Sequence, residues 1–260
     1  MKVLICGYGR MGQEIESALL TRGHEVTARV DPDPNRGDAR SLSAELLTSS
    51  EGVIEFSLPG GVVSNAALYH SAGIPAVVGT TGWEADRDKV REMYQKEQGE
   101  QAGAALLYGS NFSIGANLFR VLSEFAAQII GPIQDYDVMM LEKHHSGKQD
   151  SPSGTAITVA ESLIKAHPRK NRIVTQRLDR RIEPDELHLA SLRGGSVPGT
   201  HSVEFDSAAD TISITHTARN RGGFALGAVL GLEWLAGRTG FFSVENFIED
   251  VVAQARRNSS

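Results

Sequence analysis

Residues 2–12 of the chain read K-V-L-I-C-G-Y-G-R-M-G. The apolar run Lys2–Cys6 predicts a short buried strand, and Gly7, Gly9 and Gly12 form the pattern G-x-G-x-x-G after it. Apolar side chains then recur at helical spacing as far as Gly23. A strand, a glycine turn and a helix in this order predict a dinucleotide site, with the pyrophosphate at the helix N-terminus. A glycine turn that only shapes a parallel sheet is the alternative interpretation.

The next strand carries information about the cofactor. Residues 25–30 predict a strand that ends at Asp31, about twenty residues beyond the glycines. An acidic residue there accepts hydrogen bonds from the adenosine ribose and repels a 2′-phosphate, so Asp31 favours NADH over NADPH. Arg29, Arg36 and Arg40 lie close enough in sequence to pair with such a phosphate, and they leave the preference open.

Strand and helix patterns continue to alternate beyond Asp31. Strands are predicted to end near Phe56, Val78 and Tyr108, with helical patterns between them. This alternation predicts a parallel, doubly wound α/β sheet. Gly79, Thr80 and Thr81 follow a strand end, where such sheets bind ligands, and we expect them to line the nicotinamide half of the site. An ordinary turn is the alternative for these three residues.

Residues 142–156, E-K-H-H-S-G-K-Q-D-S-P-S-G-T-A, concentrate cations in a chain of formal net charge −6. A helical pattern begins at Ala156, and we predict an N-cap at Asp150 or Ser151 with Pro152 in the first helical position. Free backbone N–H groups at such a helix start favour a carboxylate or a phosphate, and Gly154 leaves room for its approach. Imidazoles and an ammonium beside this helix start predict an enzyme that acts on a small acid.

Two alternatives exist for this stretch. A metal site is one, because His144, His145 and Asp150 are ligand types. Neighbouring strand residues point to opposite faces, however, so His144 and His145 do not easily share one ion, and no further His or Cys spacing supports them. We therefore predict no metal. A solvated polar loop is the other alternative, and it does not account for the helix start that follows.

Beyond Pro132 the pattern changes to clustered strands around one dominant helix, which predicts an open mixed α+β sheet. Two helical segments follow from Gly222, and we expect them to return to the first domain. We therefore predict a dinucleotide-binding domain made of residues 1–113 and 222–260, and a second domain made of residues 114–221.

Composition restricts the class of protein. The 260 residues are 40% hydrophobic and 22% charged, which is ordinary for a globular enzyme. The net charge of −6 without a basic stripe argues against a nucleic-acid partner. One cysteine, Cys6, permits no internal disulfide, and no apolar run is long enough for a signal peptide or a membrane span, so we expect a cytoplasmic enzyme.

Five motifs resemble one family over nearly the whole chain, the 4-hydroxy-tetrahydrodipicolinate (dihydrodipicolinate) reductases of bacterial lysine and diaminopimelate synthesis. The motifs are Gly9–Gly12, Gly79–Gly82, Asn111–Gly115, His144–Ala156 and Arg193–Gly195. The resemblance implies an N-terminal Rossmann domain completed by the C-terminal helices, an inserted substrate-binding and tetramerisation domain, and a homotetramer formed through the central sheets. It implies reduction of a small dicarboxylate with NADH or NADPH.

The resemblance also implies roles for the matching residues. It assigns catalysis to His144 and Lys148, either of which can supply the proton. It assigns substrate binding to His145, Ser153, Gly154 and Thr155, and cofactor binding to Gly7, Tyr8, Gly9, Arg10, Met11, Gly12, Asp31, Gly79, Thr80, Thr81, Gly109, Ser110, Asn111 and Phe112. The alternatives are a dehydrogenase of another small acid such as aspartate on the same scaffold, and a non-catalytic NADH-binding sensor.

Overall fold

A computed structural model describes residues 1–95 and 104–257 of the chain. The described residues fold as two compact units, Met1–Ile114 with Arg221–Ser260 (unit 1) and Gly115–Asn220 (unit 2). The elements, in chain order, are β1 (Lys2–Cys6), α1 (Arg10–Thr21), β2 (Glu25–Val30), α2 (Ala44–Leu47), β3 (Gly52–Glu55), α3 (Val62–Ser71), β4 (Ala76–Val78), α4 (Arg87–Gln95), β5 (Ala105–Tyr108), α5 (Ile114–Ile130), β6 (Asp137–His144), α6 (Gly154–Ala166), β7 (Arg172–Val174), β8 (Glu186–Arg193), β9 (Thr200–Asp206), β10 (Thr211–Thr217), α7 (Gly222–Leu235), β11 (Gly240–Ser243) and α8 (Val244–Arg257).

Unit 1 contains a six-stranded sheet in the order β11-β5-β4-β3-β1-β2. All of its strand pairs are parallel, which confirms the predicted doubly wound α/β sheet. Every residue of β3 and β4 is buried, as expected when helices cover both faces of a parallel sheet. Strand β11 was missed by the sequence analysis, which assigned only helices to the end of the chain.

The helix α7 completes unit 1 by packing closely against the sheet, as predicted for the C-terminal helices. It contacts β3, β4 and β5. A Cβ atom on Gly227 would lie 1.7 Å from the carbonyl oxygen of Phe112, and one on Gly231 would lie 2.6 Å from Leu107 Cδ2. Glycine at these two positions therefore allows the helix to approach the sheet and the turn after β5.

Unit 2 contains a five-stranded sheet in the order β10-β9-β6-β8-β7. The central strand β6 is parallel to β8 and antiparallel to β9, which confirms the predicted open mixed sheet. Strand β7, at one edge, was not predicted. The inner face of the sheet packs on α5 and α6 to form one core: Phe119, Ala127, Ile130, Val138, Met140, Ala156, Val159, Ala160, Leu163, Leu187, Leu189, Val203 and Phe205.

The outer face of this sheet has a different character. Side chains alternate along a strand, so Met139, Leu141 and Lys143 of β6 point away from the core that holds Val138 and Met140. Met139 is 43% exposed, and Leu192 on the neighbouring strand β8 is 54% exposed. Within unit 2, this face of the sheet therefore presents apolar side chains to solvent.

None of the helices in the described part of the chain is both long enough and apolar enough to cross a bilayer.

Candidate functional site

The cofactor-binding candidates lie at one edge of the sheet in unit 1. Its strands are parallel, so the residues that follow β1, β2, β4 and β5 come to the same edge. The chain places β2 on one side of β1 and β3 on the other, and this reversal opens a crevice at the carboxyl end of β1. The sheet therefore brings Gly7, Asp31, Gly79 and Gly109 to the edge where such folds bind ligands.

The glycine turn after β1 has the shape that a pyrophosphate requires. Gly7 has a φ of +92°, and a Cβ atom there would lie 2.1 Å from the carbonyl oxygen of Phe56. A Cβ on Gly12 would lie 2.4 Å from the carbonyl oxygen of Gly7. By contrast, a Cβ on Gly9 would meet no atom within 4 Å, and no side chain caps α1 at this residue. Open space at an uncapped helix N-terminus fits a bound phosphate.

Asp31 is fixed by the same turn. Its Oδ2 accepts the backbone N–H of Tyr8 at 2.8 Å, and its Oδ1 accepts the N–H of Asp33 at 2.9 Å. A carboxylate has about four acceptor positions, so both oxygens retain capacity for ribose hydroxyls. The structure therefore holds Asp31 in one orientation beside the glycine turn.

The predicted nicotinamide segment is held by two hydrogen bonds at Thr80. Its Oγ1 accepts the N–H of Ser57 at 2.8 Å, and its carbonyl accepts the indole N–H of Trp83 at 2.8 Å. A Cβ on Gly79 would lie 2.1 Å from the ring of Phe56, so this position excludes a side chain. A cleft of 310 Å³ opens beside this segment and is lined by Thr80, Thr81, Trp83, Glu84, Arg87, Tyr108, Gly109, Ser110 and Glu245.

Two residues of the predicted cofactor set make side-chain contacts within unit 1. Phe112 is only 1% exposed and lies edge-to-face with Phe56 at 6.1 Å between ring centroids. The side-chain Oδ1 of Asn111 accepts the backbone N–H of Ser113 at 2.9 Å. The side chain of Phe112 therefore belongs to the core, and any contact with a cofactor would come from its backbone.

In unit 2, the cationic stretch begins at the end of β6. Glu142 is fully buried and His144 is 8% exposed, whereas Lys143 and His145 are exposed. The alternation of the strand therefore separates the two histidines, as their adjacent positions predicted. Of the two imidazoles, only that of His144 enters the interior of unit 2.

Glu142, which the sequence analysis missed, organises this interior. Its Oε1 accepts a guanidinium N–H of Arg193 at 2.7 Å and the backbone N–H of Ser153 at 3.2 Å. Its Oε2 contacts Nδ1 of His144 directly. Burial favours the neutral acid, but hydrogen bonds from Arg193 and Ser191 outweigh burial and hold the pKa of Glu142 below its usual range. The buried group is therefore a carboxylate.

His144 stays neutral beside this carboxylate. Burial lowers the pKa of His144, and the opposing attraction of Glu142 does not restore it. A neutral imidazole carries one proton, and contact with a carboxylate places that proton on Nδ1. Nε2 of His144 is then an acceptor, and it faces Gly199, where a Cβ atom would lie 3.0 Å away.

The helix start after the cationic stretch differs from the prediction. Helix α6 begins at Gly154 with Ser153 as its N-cap, so the predicted caps at Asp150 and Ser151 and the helical position of Pro152 were wrong. The backbone of Ser153 is extended and its N–H is directed to Glu142, which places the first helical residue after it. The Oγ of Ser153 accepts the N–H of Ala156 at 3.2 Å.

The predicted anion contacts surround this helix start. A Cβ on Gly154 would meet nothing within 4 Å, so the space in front of the helix is open. Asp150 accepts the N–H of Gly154, and its Oδ1 lies 2.8 Å from Nζ of Lys148. The hydrogen bond from Lys148 is the largest cause that lowers the pKa of Asp150, and the N–H of Gly154 is a weaker cause in the same direction. The structure therefore joins Lys148 to the helix N-terminus through one carboxylate, whereas Ser153 is buried and committed to capping.

A second histidine, His201, adjoins His144, and a third, His216, adjoins His201; the sequence analysis selected neither. The ring of His201 lies edge-on to that of His144 at 5.2 Å between centroids, and its Nε2 lies 3.3 Å from Ser153 Oγ. The ring of His216 is stacked with that of His201 at 6.4 Å. The inward alternation of His201 with Val203 and Phe205 along β9 was the signal that could have placed His201 inside.

Glu142, His144 and His201 also form a group of metal-ligand types. One donor atom of each lies within 4.8 Å of the other two. However, Glu142 Oε2 and His144 Nδ1 contact each other directly instead of both facing a central position. We therefore describe the three side chains as a group in direct contact, and the predicted absence of a metal stays a prediction.

Comparison with known proteins gives consistent results over both units. Residues 1–112 match the family model for the N-terminus of dihydrodipicolinate reductase, and residues 115–248 match the model for its C-terminus. The 4-hydroxy-tetrahydrodipicolinate reductase of Christiangramia forsetii is 38% identical over 96% of this chain and 99% of its own length. The protein of that name from Aquifex aeolicus is 33% identical over 94% of this chain and 97% of its own length.

A solved structure shares the fold. It is a dipicolinate-bound dihydrodipicolinate reductase from Paenisporosarcina sp. TG-14, which matches with a TM-score of 0.75. The match covers 95% of this chain and 98% of that chain at 22% sequence identity.

Acid should destabilise the protein, because His201 and His167 are buried in the neutral form. Burial, reinforced by nearby cationic groups, lowers the pKa of each to about 4. The unfolded chain, with histidine pKa values of about 6.5, binds these protons first, so the free energy of unfolding falls as the pH drops from about 6.5 to about 4. Each histidine contributes up to about 3 kcal/mol over this range. Thermal unfolding followed by circular dichroism across this range measures the effect.

The variant His201→Gln isolates one of the two groups. Its melting temperature should depend less steeply on pH than that of the wild type between about pH 6.5 and pH 4. Parallel pH profiles for the two proteins would contradict the assignment of His201 as a neutral buried group.

Proposed function

Because the chain belongs to the dihydrodipicolinate reductase family, we propose that it reduces 4-hydroxy-tetrahydrodipicolinate to tetrahydrodipicolinate with NADH or NADPH in diaminopimelate and lysine biosynthesis. The observation that carries this function is the arrangement in unit 2. In this unit a neutral His144 contacts the buried carboxylate of Glu142. Lys148 pairs with Asp150, which accepts the N–H of Gly154 at the start of α6. The space beside the Cα atom of Gly154 is open. This arrangement suits a small dicarboxylate that must be bound and then protonated.

The proposed cofactor site is the strand-end edge of unit 1. The turn Gly7–Gly12 would hold the pyrophosphate, Asp31 the adenosine ribose, and the cleft beside Thr80, Thr81, Gly109 and Ser110 the nicotinamide. The chemistry that a reduced nicotinamide would supply is hydride transfer to a carbon of the conjugated cyclic imine that forms when the substrate loses its 4-hydroxyl as water. Unit 1 is therefore the dinucleotide-binding domain in this proposal, and unit 2 is the substrate domain.

Substrate binding is assigned to the start of α6. Gly154 and Thr155 offer backbone N–H groups and the positive end of the helix dipole to one carboxylate, and the exposed His145 adds a further donor. Ser153 acts indirectly, because its hydroxyl caps the helix and fixes the position of those N–H groups. A carboxylate of the substrate would compete with Asp150 for the Gly154 N–H, which leaves the Lys148 ammonium free to face the substrate.

We assign the proton that completes the reduction to Lys148. Hydride addition moves electron density toward the ring nitrogen, and a neighbouring carbon then needs a proton. His144 has its only N–H directed to Glu142 and presents an unprotonated Nε2, so it is an acceptor that orients the substrate. The ammonium of Lys148 carries three N–H donors and is linked through Asp150 to the start of α6, where we place the substrate.

The preference for NADH is proposed from Asp31. Its carboxylate, fixed by two backbone N–H groups, lies where a 2′-phosphate would otherwise bind. Reduction of another small acid on this scaffold would not require the His144–Lys148 arrangement, and a non-catalytic sensor would require neither residue. Both residues are present in unit 2, which supports the reductase over these alternatives.

The direct test is oxidation of NADH and of NADPH by the purified protein. The unstable substrate is generated in the cuvette by the preceding synthase from pyruvate and aspartate semialdehyde. We expect synthase-dependent oxidation, faster with NADH than with NADPH, followed as loss of nicotinamide absorbance. Protein that binds NADH but shows no oxidation would contradict the reductase and favour a different substrate or a sensor.

Replacing Lys148 or His144 by Ala should lower kcat by about 10²-fold or more, because each removes a group that acts on the substrate in the transition state. Lys165→Ala is the control. Its side chain is an exposed cation in the last turn of α6, at the opposite end from the proposed site, so its kcat should stay within about twofold of wild type. Equal kcat in wild type, Lys148→Ala and His144→Ala would overturn the assignment.

A homotetramer formed through the sheets of unit 2 is also proposed. The exposed Met139 and Leu192 on the outer face of the sheet support it, because apolar side chains grouped on a sheet face often mark a subunit interface. Met139→Glu should dissociate the assembly, because it buries a carboxylate directly opposite another carboxylate, Glu204 of β9, instead of opposite a cation. Analytical ultracentrifugation should give four times the 28.0 kDa chain mass for wild type and a smaller mass for the variant. A wild-type monomer would contradict the proposal.

We also place the enzyme in the cytoplasm, where nicotinamide cofactors and biosynthetic intermediates are available. Cell fractionation with an antibody to the protein tests this location, and recovery in a secreted fraction would contradict it.

A further inference from the structure

Unit 1 contains an arginine that pairs with two carboxylates close to the proposed adenosine site. Arg29 contacts Glu16 through Nη2, and its Nε donates to Glu16 Oε2 at 3.1 Å. Its Nη1 donates to Asp38 Oδ2 at 3.1 Å, and its backbone N–H donates to the same oxygen at 2.9 Å. The guanidinium also lies 5.6 Å from the ring centroid of Tyr8, whose hydroxyl contacts Glu16. We call this group, Tyr8, Glu16, Arg29 and Asp38, the arginine clamp.

The arginine clamp adjoins Asp31 through three connections. Arg29 and Asp31 are two residues apart at the end of β2 and therefore project to the same side of the chain. The backbone N–H of Tyr8 binds Asp31 Oδ2 at 2.8 Å, so one tyrosine links the ribose carboxylate to the clamp. The segment that carries Asp38 runs along the end of β2, with Asp38 N–H bound to the Arg29 carbonyl at 2.7 Å and Asp31 N–H bound to the Ala39 carbonyl at 2.9 Å.

The charges of this region are unfavourable for a phosphate. Arg29 is the cation nearest to Asp31 in sequence, and it faces two carboxylates at hydrogen-bond distance. Arg36 pairs with Asp33 at 3.1 Å. Hydrogen bonding by Arg29 is the first cause that lowers the pKa of Glu16, so Glu16 is ionised at neutral pH. The local balance is acidic, because Asp31 adds a further carboxylate.

We propose that Glu16 and Asp38 are specificity-determining residues that exclude NADPH by withholding Arg29 from the 2′-phosphate. An arginine close to the ribose-binding acid is the group with which dinucleotide sites accommodate that phosphate. Here such an arginine is present but has its donors committed to Glu16 and Asp38. Discrimination between the cofactors therefore has two parts: Asp31 repels the 2′-phosphate, and Glu16 and Asp38 hold Arg29 away from it. This inference rests on the cofactor site proposed above.

Holding Arg29 and simple repulsion of the phosphate by Glu16 and Asp38 predict different results. If Glu16 and Asp38 act only as negative charges, removing them weakens repulsion whether or not Arg29 is present. If they act by holding Arg29, their removal helps NADPH only while Arg29 remains to bind the phosphate. A purely structural clamp would change thermal stability and leave the ratio of the two cofactor affinities unchanged.

The experiment measures equilibrium dissociation constants of NADH and NADPH by isothermal titration calorimetry at one fixed ionic strength. The variants are Glu16→Gln/Asp38→Asn and the same pair combined with Arg29→Gln. We expect the double variant to lower the Kd ratio of NADPH to NADH by about tenfold, chiefly through tighter NADPH binding, and the added Arg29→Gln to remove that gain. Glu14→Gln is the control, since it removes an exposed carboxylate from α1 but leaves the clamp and the Arg36–Asp33 pair intact, and it should change the ratio by less than about threefold.

Binding of NADH within about threefold of wild type shows that each variant is folded. An unchanged ratio in the double variant would overturn the proposal, as would a gain that persists after Arg29→Gln, which would point to Arg40 or to simple charge removal. Should the double variant be unstable, Glu16→Gln alone tests the same ratio, because it removes the carboxylate that binds Arg29 through two nitrogens. Wild-type protein that binds neither cofactor would contradict the proposed function itself, which separates the two failures.

Discussion

The carboxylate of Glu142 is fully enclosed by unit 2, and burying an ionised group costs several kcal/mol unless partners compensate it. Besides Ser191 of β8, three partners do so from separate parts of the chain: Arg193 at the end of β8, the backbone N–H of Ser153 before α6, and His144 on its own strand. Each of these partners is thereby fixed in position relative to the other two. The start of α6, the orientation of His144 and the turn after β8 therefore depend on one buried charge.

Unit 1 contains a comparable arrangement around Glu55, at the end of β3. Its carboxylate accepts hydrogen bonds from the Ser57 hydroxyl at 2.5 Å, the Asn65 amide at 2.8 Å and the Tyr69 hydroxyl at 2.9 Å. Burial raises the pKa of Glu55 despite these donors, because no cation is among the partners that oppose it. Ser57 in turn donates its N–H to Thr80, so this buried acid supports the segment proposed to face the nicotinamide. Cationic compensation thus distinguishes the carboxylate of Glu142 from that of Glu55.

The fold could be predicted from the sequence because its strands are short, apolar and punctuated by glycine. The misses have physical causes. Strand β11 is a four-residue run between two helices and is held by pairing with β5, a contact that local sequence does not record. The start of α6 was placed too early, because the choice among Asp150, Ser151 and Ser153 as the cap is decided by the distant Glu142. Charge concentration found His144 and Lys148, whereas Glu142 and His201 become neighbours only through the pairing of β6 with β9. The commitment of Arg29 likewise depends on Glu16 from α1.

Burial is the main cause that keeps His144 neutral, and Arg193 adds to it. A buried carboxylate next to an imidazole normally draws a proton to that imidazole, and the pair then exists as two ions. Here the guanidinium of Arg193 already compensates Glu142, and the repulsion between Arg193 and a protonated His144 adds to the effect of burial on His144. The proton of the pair therefore stays as a single N–H on Nδ1, with Nε2 free to accept. In the proposed reaction His144 is therefore not the acid and the proton comes from Lys148, whose carboxylate partner Asp150 is about half exposed.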